Sequence, residues 1–136
     1  HVCRMGDACT YAFKAYILDT VLKEHECVVW LDAGIEIRRD LNEIKNLIST
    51  HGHFYVTNGW QWPNKFAYPP ALEFWGKTAN DFVGPNGEIA LAAMGGMQGY
   101  RRGSEAHLEI LPQLLECAGI QECIAPVGGT KENYRQ

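Results

Sequence analysis

Asp32 is the residue whose surroundings best suit it to chemistry. In the stretch Val28 to Gly34, VVWLDAG, an apolar run ends in this single carboxylate and then in the small, turn-permissive pair Ala33-Gly34. At the carboxyl end of a central parallel strand, Asp32 would face the crevice where open α/β sheets bind their ligands. A carboxylate there is a hard oxygen ligand for Mg²⁺ or Mn²⁺ alongside substrate phosphates, or an acceptor for a ribose hydroxyl. It is equally suited to accept backbone hydrogen bonds in the turn that Gly34 completes. Position alone leaves both readings open.

Other reactive residue types are more weakly arranged. His51-Gly52-His53 has a spacing found in metal sites, yet no third ligand is apparent, and a surface turn between a helix and a strand is the expected reading. Arg38-Arg39 and Arg101-Arg102 could grip a diphosphate, because a guanidinium matches phosphate oxygens in a bidentate way, although solvated arginines are the commoner case. GGMQG, from Gly95 to Gly99, lacks the G-x-G-x-x-G spacing of dinucleotide sites, and its glycines are expected to mark a bulge or a close backbone approach. Trp60, Trp62 and Trp75 are read first as a satellite packing cluster and second as a stacking platform for a sugar or base. The five cysteines form no C-x-x-C pair, which argues against structural zinc. Cys27 is expected to be a small buried hydrophobe, while Cys117 with Cys123, and Cys3 with Cys9, are spaced so that either pair could be bridged in an oxidising compartment.

The composition bounds these readings. With 136 residues, 46% of them hydrophobic and 21% charged, the chain is about one globular domain's worth and is not a disordered segment. A net charge of -4 with no basic tract argues against a general nucleic-acid binder, which needs a surplus of Lys and Arg over a whole face. No apolar run reaches the ~18 residues of a membrane-spanning segment.

The elements that must position Asp32 follow from periodicity. Thr10 to His25 reads as a helix capped by Thr10, with Tyr11, Ala15, Leu18 and Leu22 on its apolar stripe, Ile17 and Val21 beside them, and Lys14 mostly off it. Cys27 to Leu31, apolar at every position, reads as a strand buried within a parallel sheet. Asp40-Leu41-Asn42-Glu43 has the form of a capping box opening a helix with Leu41, Ile44, Leu47 and Ile48 inward. HFYVT, from His53, reads as a second strand closed by Asn58-Gly59. Trp60 to Pro85, with three of the four tryptophans and four prolines, reads as a long aromatic loop. Glu88 to Met94 is expected to be a short helix, GGMQGYRRG a strand, and Ser104 the start of a helix that Pro112 kinks or divides and Gly119 ends. The alternation predicts an α/β fold with crossover helices.

Taken in order, AFKAYILDTVLKEHECVVWLDAGIEI followed by DLNEI resembles the middle of a nucleotide-diphospho-sugar transferase of the GT-A type. In that family a Lys-bearing helix leads into an apolar strand ending in a metal-binding D-x-D motif. GMQGYRRGSEAHLEILPQLLECA is similar to the family's glycine-entered strand and helix near the acceptor site, and CIAPVGGTKENYRQ to the approach to an Asp-Gln segment. The resemblance runs from about Tyr11 to Gln136. It implies that residues 1–136 are a single partial domain of a Rossmann-like, GT-A-type mixed sheet.

The same resemblance assigns roles residue by residue. Asp32 matches the first Asp of D-x-D, implying Mn²⁺ or Mg²⁺ and the donor's diphosphate or ribose as its ligands. Gly34 stands where the second Asp would be. Lys14 matches the helix lysine, Asp32, Lys14, Ala33 and Gly34 together line the donor side, and Gln98, Tyr100 and Arg101 fall where acceptor or donor contacts are made. Donor strands are expected upstream, and downstream an Asp-Gln followed by a metal-binding His. The partners implied are a nucleotide-sugar donor and a glycan, protein or lipid acceptor, in a longer protein for which the secretory pathway (Golgi or ER lumen) is one location. Two other classes fit the same residues: a sugar-nucleotide or glycan-binding domain that has lost catalysis, motivated by Gly34, and an unrelated α/β interaction domain.

Overall fold

The computed structural model describes residues 11–59, 62–67 and 69–124. The expectations for Cys3, Cys9, Thr10, Trp60 and the ENYRQ tail fall outside them. The chain divides into two compact units.

Lys14–Val56 and Ala93–Leu114 form the unit that carries Asp32. Its helix α1 (Phe13–Glu24) forms where Ala15, Leu18 and Leu22 recur at helical spacing, and all three are buried. Two residues, His25 and Glu26, then reverse the chain into β1 (Cys27–Leu31). The 12 residues of α1, at about 1.5 Å each, span about the same length as the five of β1, at about 3.3 Å each. The start of the helix and the end of the strand therefore meet. After a turn and an extended stretch comes α2 (Asn42–His51), whose first N–H is taken by Asp40 Oδ1 at 3.0 Å. The helix stops at Gly52, which has φ 79° and donates its N–H to Ile48 O at 2.8 Å, a left-handed end that glycine adopts without steric cost.

β2 (His53–Asn58) and β3 (Ala92–Arg101) complete a sheet in the order β1-β3-β2. The mixed helix-and-strand class expected from sequence is present, but β1 is not a central parallel strand. It pairs antiparallel with β3, Val29 opposite Gly99 and Leu31 opposite Met97, and is an edge strand among the described residues. The crossover through α2 skips one position, and β3 fills the gap between β1 and β2. Three strands in this arrangement do not make a Rossmann sheet. None of β1 is fully buried, and Cys27 at its head is exposed instead of being a core hydrophobe. The reason is the same in both cases: strand burial on both faces requires neighbours on both edges and layers on both sides.

Gly99 lets α2 close onto the central strand. A Cβ built at Gly99 would lie 2.6 Å from Ile48 Cδ1 and 3.1 Å from Val28 O. Beyond β3, Ser104 starts the next helix as expected, its hydroxyl accepting the His107 N–H at 3.3 Å. Pro112 divides that helix. A π-turn over Ala106–Ile110, closed by Leu111 N–H on Ala106 O, precedes α5 (Leu111–Ala118). Proline lacks an N–H and crowds the carbonyl of the preceding turn, and the wider turn accommodates it.

The other unit contains Thr57–Ala92 and the chain from Leu115. The aromatic segment is not an irregular loop there. It holds α3 (Pro63–Phe66), α4 (Pro69–Phe74) and a 3₁₀ turn at Ala79–Phe82, with α3 packed on the 3₁₀ turn. Pro63 and Pro69 begin their helices, where a missing N–H costs nothing. Thr78 and Asp81 form a reciprocal cap on the 3₁₀ turn. Glu88 to Met94 is extended, not helical: Ile89 bridges to Val83 and β3 begins at Ala92, so pairing overrides the helix-forming composition. α6 (Gln121–Ile124) packs on α4, and Cys117 is bridged to Cys123. Among the described residues no helix is long and apolar enough to cross a membrane.

The contact at Gly99 yields a stability prediction. Gly99→Ala is expected to destabilise the protein by about 1–3 kcal/mol through overpacking, read as a lower urea midpoint. An unchanged midpoint would show that α2 is not seated on the central strand.

Candidate functional site

The strand end brings four groups to Asp32. The Lys14 ammonium donates to Asp32 Oδ1 at 2.7 Å and to Gly95 O at 3.1 Å. The Trp30 indole N–H donates to the same Oδ1 at 2.6 Å, and the Lys14 ammonium stands 5.5 Å from the centre of the Trp30 ring. The main chain of Asp32 extends the ladder, its N–H on Gly96 O at 2.9 Å, while its carbonyl accepts from Ile35 N at 2.9 Å to close the turn through Ala33 and Gly34. Asp32 is thus a turn residue in its backbone, but its carboxylate is spent on side chains, not on the turn.

The face of the sheet explains the company. Residues two apart on a strand share a face, so Trp30 accompanies Asp32. Across the ladder Trp30 faces Gln98 and Val28 faces Tyr100. Gln98 donates to Gly95 O at 3.3 Å and accepts from the Tyr100 hydroxyl at 2.9 Å. Tyr100 is fully buried, and the Tyr55 ring meets it edge-on at 5.6 Å. Burial, first of all, raises the pKa of both phenols. Among the described residues the buried Tyr55 hydroxyl has no hydrogen-bond partner of good geometry, and the neighbouring Tyr100 hydroxyl only partly offsets the effect of burial on it. Tyr100 therefore offers no surface to an acceptor; it positions Gln98.

Arg101 is separated from this group. It follows Met97 and Gly99 on the opposite face, its Nε buried without an acceptor among the described residues, and its N–H bonded to Gly52 O at 2.9 Å. Arg102 reaches Lys23 O at 3.1 Å. Arg38 is paired with Glu36 Oε2 at 2.8 Å, and both arginines at 38 and 39 line an open hollow of about 270 Å³ walled by Leu31, Ile35, Leu41 and Met97. Leu31 and Met97 alternate away from Asp32. None of these cations converges with Lys14.

The remaining candidates stay local. His51 lies in the last turn of α2, and His53 packs on the Tyr55 ring at 5.2 Å, in keeping with a turn. Among the described residues, Trp62 is met by Lys65 at 4.9 Å and Trp75 by Phe74 at 5.4 Å. Among the described residues no three His, Cys, Asp or Glu side chains gather as a metal site.

Sequence reasoning missed Trp30 as a member of the site, and it placed Lys14 there through the family resemblance alone, not through the helix pattern. Trp30 was legible through the i, i+2 rule for strands. Lys14 was assigned off the buried stripe, yet positions 14, 18 and 22 follow i, i+4, i+8, and its side chain is only 12% exposed. Gly96 carries the close approach expected of that glycine segment: a Cβ there would lie 3.0 Å from Asp32 Oδ2.

The Lys14 hydrogen bond, then that of Trp30, holds the Asp32 carboxyl below the usual carboxylate range against the opposing effect of burial. Asp32 is therefore ionised at neutral pH. Comparison with protein-family models, curated proteins and solved structures finds no match to this chain.

Two predictions follow from the geometry. Because the folded-state pKa of Asp32 lies below its ordinary 3.8, the stability it contributes is complete above that value and is lost as pH falls through the lower folded value. The stability difference between parent and Asp32→Asn, from urea titrations, is expected to be flat above about pH 5 and to shrink below about pH 4. Gly34 has open space around its Cβ position and no left-handed φ. Gly34→Asp is expected to keep stability within about 0.5 kcal/mol of the parent and to raise Mn²⁺ affinity in calorimetry.

Proposed function

We propose that this chain is part of a glycosyltransferase of the GT-A type, binding a nucleotide-diphospho-sugar at Asp32 and passing its sugar to an acceptor hydroxyl. The observation that carries the reading is the convergence of Lys14, from the helix, with Asp32, at the end of the strand that follows it, at 2.7 Å. These are two residues that the family resemblance assigns to the donor. The short sheet and its crossover helix are compatible with the middle of such a fold.

Lys14 supplies positive charge where a diphosphate would lie, and Asp32, held ionised, supplies an acceptor for donor hydroxyls. Gln98, buried and fixed by Tyr100 and Gly95, backs the same face of the sheet. The Mn²⁺ or Mg²⁺ implied by the resemblance finds a poor donor set among the described residues. Asp32 Oδ1 already carries Lys14 and Trp30, and position 34 has no side chain.

Gly34 also favours a second reading, a sugar-nucleotide-binding domain without transfer. Calorimetric titration with a panel of nucleotide sugars, followed by product analysis with hydroxyl acceptors, distinguishes the two. Asp32→Ala is expected to weaken donor binding about 10- to 100-fold, the worth of a hydrogen bond to a charged group. Equal binding by parent and Asp32→Ala would remove Asp32 from the donor site.

A further inference from the structure

We infer that the Lys14 ammonium takes the place of a divalent ion at Asp32 Oδ1, so that a sugar nucleotide binds without metal and meets this carboxylate only through Oδ2. This rests on the donor-site reading above and specifies how that site works.

The two carboxylate oxygens are in different situations. Oδ1 accepts two short hydrogen bonds, from Lys14 at 2.7 Å and Trp30 at 2.6 Å. A divalent ion approaching that oxygen would meet an ammonium group head-on and would have to displace it. Oδ2 accepts no hydrogen bond from the described residues, and the Asp32 side chain is 43% exposed. A carboxylate that is ionised, fixed by one oxygen and open at the other is an acceptor for an O–H donor.

Charge points the same way. The ammonium neutralises the carboxylate, which weakens its attraction for a second cation but leaves its ability to accept a hydrogen bond from a neutral hydroxyl. A chelating second carboxylate is missing at Gly34, so a metal would rest on a single oxygen from this strand end.

Gly96 keeps Oδ2 approachable. Its absent Cβ would stand 3.0 Å from Oδ2 and 3.5 Å from Cγ, tight against the oxygen a ligand would use. The carboxylate has little freedom to retreat, since turning away breaks its bonds to Lys14 and Trp30. Gly96 is in this sense a positioning residue, one that acts by leaving space.

The test uses the full chain titrated calorimetrically with UDP-glucose, GDP-mannose and their 2′-deoxyribose counterparts, each in excess Mn²⁺ and in excess EDTA. The expected result is a nucleotide sugar that binds with the same affinity in both conditions and about tenfold more weakly to Gly96→Ala, with thermal melting confirming that the variant is folded. Loss of affinity for the 2′-deoxy compound identifies the ribose 2′-hydroxyl as the group read, and its retention leaves the ribose 3′-hydroxyl and the hydroxyls of the transferred sugar, which the corresponding 3′-deoxy compound separates. Binding that appears only with Mn²⁺ overturns the inference and leaves the donor-site reading standing. No binding of any nucleotide sugar in either condition overturns the donor-site reading, and this inference with it. An unchanged affinity in folded Gly96→Ala rules out recognition through Oδ2.

Discussion

The register of β3 on β1 is the constraint from which the Asp32 unit is built. With Val29 opposite Gly99, one glycine lies under Ile48 and allows α2 to close against the sheet. Three residues earlier another glycine, Gly96, lies beside the carboxylate of Asp32 on the opposite face. Strand alternation gives the two glycines their separate tasks. A slip of one residue would put Met97 and Gln98 in the wrong layers, and in one direction would set the Met97 side chain against Asp32.

Around that register the Lys14 to Asp32 pair matters more for position than for stability. A half-exposed ion pair is worth little net free energy, because water and salt screen it. Its geometry is nevertheless well determined: the ammonium is nearly buried, the indole N–H holds the same oxygen, and Gly95 O holds the ammonium from the other side. The result is a carboxylate with a fixed orientation, an ionised state and one open oxygen. Gln98 stands next to it through a chain of hydrogen bonds that ends in the buried Tyr100.

Where the sequence pattern was strongest, the elements are those that periodicity implies. Ala15, Leu18 and Leu22 identify α1, and the apolar run identifies β1, because each pattern reflects one buried face. It was less informative where local preference and pairing compete. Glu88 to Met94 consists largely of helix formers but is extended, since Val83 and the sheet offer it partners. The aromatic segment has little periodicity because its helices are too short to show any, and Pro63 and Pro69 stand at helix starts.

By itself the sequence determined that a carboxylate ends an apolar strand, that a lysine-bearing helix precedes it, and that glycines and Gln98 follow later on another strand. These are properties of local order, written in residue type and spacing. Only the tertiary structure decided that β1 is an antiparallel edge strand of the described sheet, that Lys14 and Trp30 share one oxygen of Asp32, and that Arg101 belongs to the other face. Those outcomes depend on which strands pair and in what register. Contacts between residues 18 and 81 positions apart, as from Lys14 to Asp32 and Gly95, are set by that pairing and leave no periodic trace along the chain.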